Sequence, residues 1–151
     1  IDIYQDVLDQ LSHAALNGDV DILHRYIRLP FSYTTHGGSF TLATAQEMTA
    51  YCLSFTETLR LLGATDYIRI ARDAVYLDPR RIEGCHYAHI ICDGQRIHPP
   101  YASRMVIEKA PGNWQVTKAV HAIANDTFPI TLPEATAGSE IVPSPIAIVT
   151  N

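Results

Sequence analysis

The chain has 151 residues, 47% of them hydrophobic and 18% charged, so we expect one folded domain and exclude a wholly disordered chain. Its formal net charge of −5 disfavours nucleic acid and anionic membranes as partners. No apolar run is long enough to span a membrane, and the N-terminus shows no basic segment followed by an apolar one. We therefore expect neither a membrane span nor a signal peptide.

Three cysteines, Cys52, Cys85 and Cys92, make an odd number and lack the spacing of a zinc site. Cysteine is among the residues most often buried, so we predict unpaired, buried thiols. Such thiols indicate the reducing cytoplasm as the compartment.

The beginning of the chain predicts two helices. Asp2 and Gln5 stand three residues apart, which is the spacing of a capping box, and apolar residues then recur along one helical stripe. Gly18 follows as a C-terminal cap. Asp19 caps a second, shorter helix that extends to about Ile27.

A short hairpin and a long helix are predicted next. Residues 31–42 are rich in aromatic and β-branched residues around a Gly-Gly turn, which is typical of a hairpin. Thr44 and Glu47 form a second capping box at the start of the longest helix, about residues 45–62, and Gly63 ends it.

The following part of the chain predicts strands. Runs of β-branched and aromatic residues alternate with short polar turns, among them the strong hairpin dipeptide Asp93-Gly94. Helices followed by an antiparallel meander indicate the α+β class. The four predicted strands are residues 65–78, 82–93, 103–109 and 114–123.

Residues 126–151 differ in composition from the rest of the chain. They contain four prolines, and their only charges are three acidic side chains. We therefore predict one domain over residues 1–125, followed by an extended, Pro-rich C-terminal arm.

Four segments carry a resemblance to a known family: ALNGDVDILHRYI, TAQEMTAYCLSF, HIICDGQ and VIEKAPGNWQVTKAVHAI. In this order, and over about residues 2–125, the chain resembles the nuclear transport factor 2 superfamily, which includes ketosteroid isomerases and SnoaL-like polyketide cyclases. The resemblance implies three helices packed on a curved antiparallel sheet, in a cone-like, cystatin-like α+β barrel. It also implies a pocket between the concave sheet face and the long helix.

Strand alternation sorts the side chains of the meander into two faces. His86 shares a face with Ala88, whereas His121 shares one with Thr117 and Ala119. We take these alanines and the threonine as ligand-binding candidates that line the pocket beside the histidines.

The resemblance places three candidate catalytic residues, His86, Arg104 and His121, on the concave side. It places three further ligand-binding candidates at the cavity or its mouth: Tyr51, Tyr26 and His36. Histidine moves protons near neutral pH, and Arg104 could hold a carboxylate or a developing enolate oxygen. The alternative is that each is a satisfied or exposed polar side chain with no chemical role.

The chain departs from the isomerases at the residues that carry their chemistry. They place a carboxylate base just after the first strand, where this chain reads Tyr33-Thr34-Thr35-His36. They carry an acid on the third strand of the meander, where Arg104 stands here. The isomerase mechanism is therefore not inherited, and a base would be His36, His86 or His121.

We expect no metal and no cofactor. His86 and His89 lie three residues apart, so on one strand they face opposite sides, and His86 with His121 lacks a third ligand. The chain has no glycine-rich phosphate loop or dinucleotide motif. Four arginines are interrupted by aspartates and are interpreted as a solvated hairpin surface: Arg69, Arg72, Arg80 and Arg81.

Alternation also predicts an apolar outer sheet face, made of Trp114, Val116, Val120, Met105 and Ile107. If the helices cover only the inner face, this surface needs another cover. We expect a homodimer through the outer face, as the resemblance also implies.

Three functions stay open from the sequence. The first is a cofactor-independent pocket enzyme of the isomerase, cyclase or dehydratase type, acting on a small apolar carbonyl compound by histidine acid/base chemistry. The second is a non-catalytic domain of the same fold that binds a small apolar or acidic molecule or serves association. The third is a small subunit of a ring-hydroxylating dioxygenase-type complex.

Overall fold

The computed structural model describes residues 1–35 and 37–121, and these form three helices and a seven-stranded sheet. The helices are α1 (Asp2–Asn17), α2 (Val20–Tyr26) and α3 (Ala45–Leu61). The strands are β1 (Ile27–Thr35), β2 (Gly38–Leu42), β3 (Asp66–Asp78), β4 (Arg81–Cys92), β5 (Gln95–Arg96), β6 (Tyr101–Ala110) and β7 (Asn113–His121). His36 and the predicted arm over residues 126–151 lie outside the described residues.

The sheet confirms the α+β class and the predicted meander, with one difference. Its strands follow the order β2-β1-β7-β6-β4-β3, and every pair along the meander is antiparallel. The last strand, β7, lies beside β1 and runs parallel to it. The sheet is therefore mixed, curved and unclosed rather than wholly antiparallel.

Local capping signals were mostly correct. The predicted capping box of Thr44 and Glu47 begins α3, and the Asp19 carboxylate accepts the Ile22 amide at the start of α2. Gly18 ends α1 in the left-handed conformation, with φ of 70°. The capping box predicted at Asp2 is wrong, because α1 has no side-chain cap at its N-terminus.

The Gln5 side chain instead binds the edge strand β3. Its Nε2 donates to the Arg69 carbonyl at 2.8 Å, and its Oε1 accepts the Ala71 amide at 2.8 Å. The amide thus makes the two hydrogen bonds that a neighbouring strand would make, because β3 is the edge strand of the sheet that the described residues form. This contact attaches α1 to β3 and fixes the backbone at Arg69.

Tyr4 brings α1 close to the middle of the sheet. Its ring is fully buried and lies directly over Gly84 in β4. A Cβ atom at Gly84 would stand 2.6 Å from the Tyr4 ring carbons, closer than two carbons can approach. Only glycine therefore allows this helix to pack on this strand.

The faces of β6 and β7 correct part of the predicted alternation. In β6 the buried residues are Tyr101, Ser103, Met105 and Ile107, so Arg104 lies exposed on the outer face. Met105 and Ile107, predicted on the outer face, belong to the core. The cross-strand register, which strand alternation alone does not determine, decides which face is covered by the helices.

A bulge in β7 reverses the alternation halfway along the strand. Val106 pairs with Lys118 and Ile107 pairs with Val116, so Thr117 is the extra residue. Val116 is therefore buried rather than on the outer face, and the Thr117 hydroxyl hydrogen-bonds Glu108 instead of lining a pocket.

We predict that Gly84→Ala destabilises the domain by about 1–3 kcal/mol, because the added methyl group overpacks the Tyr4 ring. Urea denaturation measures the loss. In the Tyr4→Ala background the same substitution should cost far less, since the ring it strikes is gone. An equal cost in both backgrounds would contradict the packing explanation.

Candidate functional site

A partly open cavity of about 40 Å³ lies between the three helices and the concave face of the sheet. Most of its wall is apolar, with side chains from all three helices and from β1, β6 and β7. Its polar lining comes from the long helix and from four strands: Tyr51, Tyr67, Arg69, His86, Tyr101, Ser103 and His121. No carboxylate is among the described residues that line the cavity.

Sheet register aligns His86, Ser103 and His121 in one row. His86 in β4 pairs with Ser103 in β6, and Ser103 pairs with His121 in β7. The Ser103 hydroxyl lies 2.7 Å from Nδ1 of His121. Paired residues of neighbouring strands share a face, so the sheet itself brings the two predicted histidines to one cavity.

Tyr4 orients the ring of His86. The Tyr4 hydroxyl lies 3.0 Å from the Gly84 carbonyl, to which it can donate, and 2.7 Å from Nδ1 of His86. When the one phenol proton goes to the Gly84 carbonyl, Nδ1 of His86 donates the second hydrogen bond. In that tautomer Nε2 of His86 carries the lone pair and can accept a proton.

Arg69 is the site residue that the sequence interpretation missed. It was grouped with exposed arginines of the β3–β4 hairpin, but it lines the cavity. In β3 it follows the buried Tyr67 by two residues and pairs with the buried Ala88 in β4. Strand alternation places Arg69 on the same face as Tyr67, but only the register with β4 shows that this face is the inner one.

The Arg69 guanidinium has no acidic partner within the part of the chain that the structure describes. Its Cζ lies 4.8 Å from the centre of the Tyr67 ring, in a cation–π contact. Its Nε is buried, and no described group hydrogen-bonds it. Burial acts to lower the pKa of Arg69, yet its phenolic neighbours Tyr67 and Tyr101 raise it on balance, so the charge persists.

Phenols surround this charge. The hydroxyls of Tyr67 and Tyr101 lie 2.7 Å apart, and Tyr51 lines the same cavity from α3. Burial raises the pKa of Tyr51 and of Tyr101, so both keep their protons at neutral pH and can donate hydrogen bonds.

Both histidines of the row are neutral at physiological pH. Burial, followed by the positive charge of Arg69, lowers the pKa of His121 to about 3. Burial also lowers the pKa of His86 well below its ordinary value, and Arg69 and then His121 add to that effect. The row therefore offers uncharged imidazoles beside one permanent cation.

The remaining predicted residues divide into those inside and those outside the cavity. Tyr51 and Ala119 line it, as predicted. Ala88 is buried on the same face of β4 without being part of the lining. Tyr26 instead borders a surface depression beside Trp114, on the helix side of the sheet.

Arg104 stands on the opposite side of the sheet from the histidines. It borders an open depression on the outer face, next to Cys85, with Arg72 and Val120 nearby. The prediction that Arg104 faces the cavity is therefore wrong, because Ser103 takes the inward position in β6. Arg69 supplies the cavity guanidinium from a different strand.

Within residues 1–35 and 37–121, no three metal-ligating side chains come close enough together to hold an ion. None of the described helices is long and apolar enough to cross a membrane.

We predict that acidification below about pH 6.5 destabilises the domain, because the buried His86 and the half-buried His121 resist protonation in the folded state. His121 binds its proton near pH 3 when folded but near pH 6.5 when unfolded, so stability is complete above pH 6.5 and falls as pH decreases. Between about pH 7.5 and pH 5, His121 alone accounts for at most about 2 kcal/mol. Urea midpoints at the two pH values measure this.

The matched variants for this measurement are His121→Gln and His89→Gln. His121→Gln should flatten the pH dependence, whereas His89→Gln, which changes a half-buried histidine on the outer face of β4, should change it little. An unchanged slope in His121→Gln would contradict a neutral, half-buried imidazole at this position.

No protein-family model and no curated protein matches the chain. Solved structures do match. A protein of unknown function from Shewanella oneidensis, described as NTF-2 like, aligns with a TM-score of 0.62 and 14% identity, over 80% of this chain and 97% of that one. A domain of unknown function with a cystatin-like fold from Nostoc punctiforme aligns at 0.60 and 13%, over 79% and 74%.

A third similar structure is that of LinA, with a TM-score of 0.56 and 12% identity, over 80% of this chain and 82% of that one. Sequence identities this low are evidence that this chain shares the fold of these proteins, but they are not evidence that it shares an activity with them. The chain therefore has the nuclear transport factor 2-like, cystatin-like α+β fold that the resemblance implied.

Proposed function

We propose that the domain is a cofactor-independent pocket enzyme that moves protons on a small carbonyl compound, in the manner of an isomerase, cyclase or dehydratase. The observation that carries this proposal is the pair of neutral imidazoles in one cavity, each with its Nδ1 at 2.7 Å from a hydroxyl. A histidine oriented through one ring nitrogen can exchange a proton through the other.

In the proposed step, Nε2 of His86 removes a proton from the carbon next to the substrate carbonyl. The C–H bond breaks, an N–H bond forms, and the electron pair moves to the carbonyl oxygen as an enolate. The hydroxyl donors of the lining stabilise that oxygen. Return of a proton to a different atom completes an isomerisation, and loss of a leaving group completes a dehydration.

The roles differ between the two histidines. With Nδ1 donating to Tyr4, His86 has its lone pair on Nε2, which suits the base. His121 borders Ser103 and suits the group that returns a proton. Burial and the charge of Arg69 lower the pKa of both imidazoles and make them weak bases, so the reaction depends on a substrate that changes the field of Arg69.

A non-catalytic binding domain is the second candidate, and the size of the cavity favours it. About 40 Å³ admits a few water molecules, whereas sites for larger organic ligands run to several hundred. This candidate shares the ligand site with the first and differs from it in lacking proton transfer.

We predict protein-dependent exchange of the protons next to the carbonyl in D₂O, for small ketones, lactones and oxo acids that stabilise the protein in a thermal-shift panel. Proton NMR of the ligand measures the rate. His86→Gln or His121→Gln should lower it about a hundredfold or more, because acid/base catalysis contributes factors of that size.

The control is His89→Gln, on the same strand as His86 but on the opposite face, which should exchange at the wild-type rate. If ligands bind but their protons do not exchange, the non-catalytic binding domain is the better candidate. If exchange continues in both His86→Gln and His121→Gln, the histidines do not catalyse it.

We further propose that the protein is a homodimer through the outer sheet face, with the cytoplasm as its compartment. The apolar exposure lies mainly on β3, at Ile68, Ile70 and Val75, together with Val120 on β7. These four, rather than the core residues Met105, Ile107 and Val116, would form the contact. Three free cysteines support a reducing compartment.

We predict that light scattering after gel filtration gives twice the chain mass, and that Ile70→Asp gives a monomer by placing a charge in the contact. Ile70 is 53% exposed. The control is Leu61→Asp, which alters a still more exposed apolar residue at the end of α3, 71% accessible, and should stay dimeric. A monomeric wild type at every concentration would rule out the dimer.

A further inference from the structure

Arg69 carries a permanent positive charge into the cavity, and no described residue brings a matching negative charge to it. The titratable groups that face it from the packed elements are phenols and imidazoles: Tyr51, Tyr67, Tyr101, His86 and His121. Neither kind of group is anionic at neutral pH. Arg69 is half-buried, and an unpaired charge that is partly removed from water costs stability, which a bound anion would offset.

The contacts that Arg69 makes leave part of its hydrogen-bonding capacity open. Tyr67 attracts the guanidinium through its ring face and through a side-chain hydrogen bond, which leaves most of the five N–H donors unused. Nε is buried with no partner among the described residues. The Tyr33 hydroxyl is also buried without a described partner, and its ring packs against the lining residues Tyr51 and His121.

The anchoring of Arg69 favours a binding role over a structural one. Gln5 holds the Arg69 carbonyl and the next inward residue of β3 through two hydrogen bonds of 2.8 Å. The backbone is thus fixed where the side chain enters the cavity, and such preorganisation is what a charged ligand needs.

Resting on the proposed function, we propose that the substrate is a small oxo acid, whose carboxylate is bound by the Arg69 guanidinium while its carbonyl lies against the row of His86, Ser103 and His121. A carboxylate matches the planar fork of one guanidinium, with two parallel hydrogen bonds. Among the described lining residues Arg69 is the only permanent cation, which is too little charge for a phosphate.

The size of the cavity restricts the acid to a short one. A volume of about 40 Å³ holds a few waters, so a carboxylate with a short carbon chain fits with little repacking of the apolar wall. Phe55 and Met105 belong to that wall and would meet the hydrocarbon end.

Binding of the carboxylate also prepares the histidines. The charge of Arg69 lowers the pKa of both His86 and His121, and pairing that charge with an anion removes its contribution. With an oxo acid bound, His86 and His121 should therefore have higher pKa values, and be stronger bases, than with a neutral ketone of the same size.

The test compares 2-oxobutyrate with 2-butanone, a neutral ketone with the same carbon count. In ¹⁵N-labelled protein, 2-oxobutyrate should shift the Arg69 Nε–H resonance and raise the Tm, because a ligand that binds only the folded state stabilises it. Arg69→Met should weaken 2-oxobutyrate binding about tenfold to a hundredfold, the size expected for charged hydrogen bonds. The Arg69→Met effect on 2-butanone should be small.

Arg104→Met is the matched control, because it removes a guanidinium from the opposite face of the same sheet and should leave 2-oxobutyrate binding unchanged. Without ligand, Arg69→Met should be as stable as the wild type or more stable, since it removes an unpaired charge. A purely structural Arg69 would instead give a destabilised variant.

The outcomes separate this inference from the function on which it rests. Equal binding of acid and ketone, insensitive to Arg69→Met, would overturn the inference and leave the pocket intact. If the acid binds through Arg69 but its protons do not exchange in D₂O, the oxo acid is the ligand, and the proposed catalytic function is wrong. Binding of neither probe counts against both.

Discussion

The positive charge of Arg69, buried at its Nε and unmatched by any acid among the described residues, is the constraint that organises the rest of the site. Burial and then this charge lower the pKa of the neighbouring histidines and keep them neutral, and the charge sits among phenols that hold their protons. A carboxylate in the wall would have paired this charge internally and closed the site to anions. The chemistry of the cavity therefore depends on what enters it.

The fold holds this arrangement through two contacts of α1. Gln5 completes the hydrogen bonds of the edge strand at Arg69, and Tyr4 reaches over Gly84 to hold the ring of His86. One helix thus positions the cavity cation Arg69 and the imidazole of His86 from consecutive residues. The packing that makes this possible requires a glycine in β4, which ties a local feature of the sequence to the geometry of the site.

Proteins with this fold include both binding proteins and enzymes, so the function of this domain has to be inferred from the side chains of its cavity and not from its topology. The similar solved structures share 12–14% identity with this chain, which carries the shape and leaves the chemistry open. The described lining of the cavity holds two imidazoles and a guanidinium and no carboxylate. Such a lining supports our proposal of a substrate that brings its own negative charge.

The sequence by itself determined the elements, because caps, glycine stops and the period of apolar residues are local signals. The α3 capping box, the stop at Gly18 and the shared face of His86 and Ala88 could all be predicted. Tertiary structure decided which face of each strand is covered, since register and the bulge at Thr117 depend on partner strands. For that reason Ser103 faces inward in place of Arg104, and the cavity cation is Arg69.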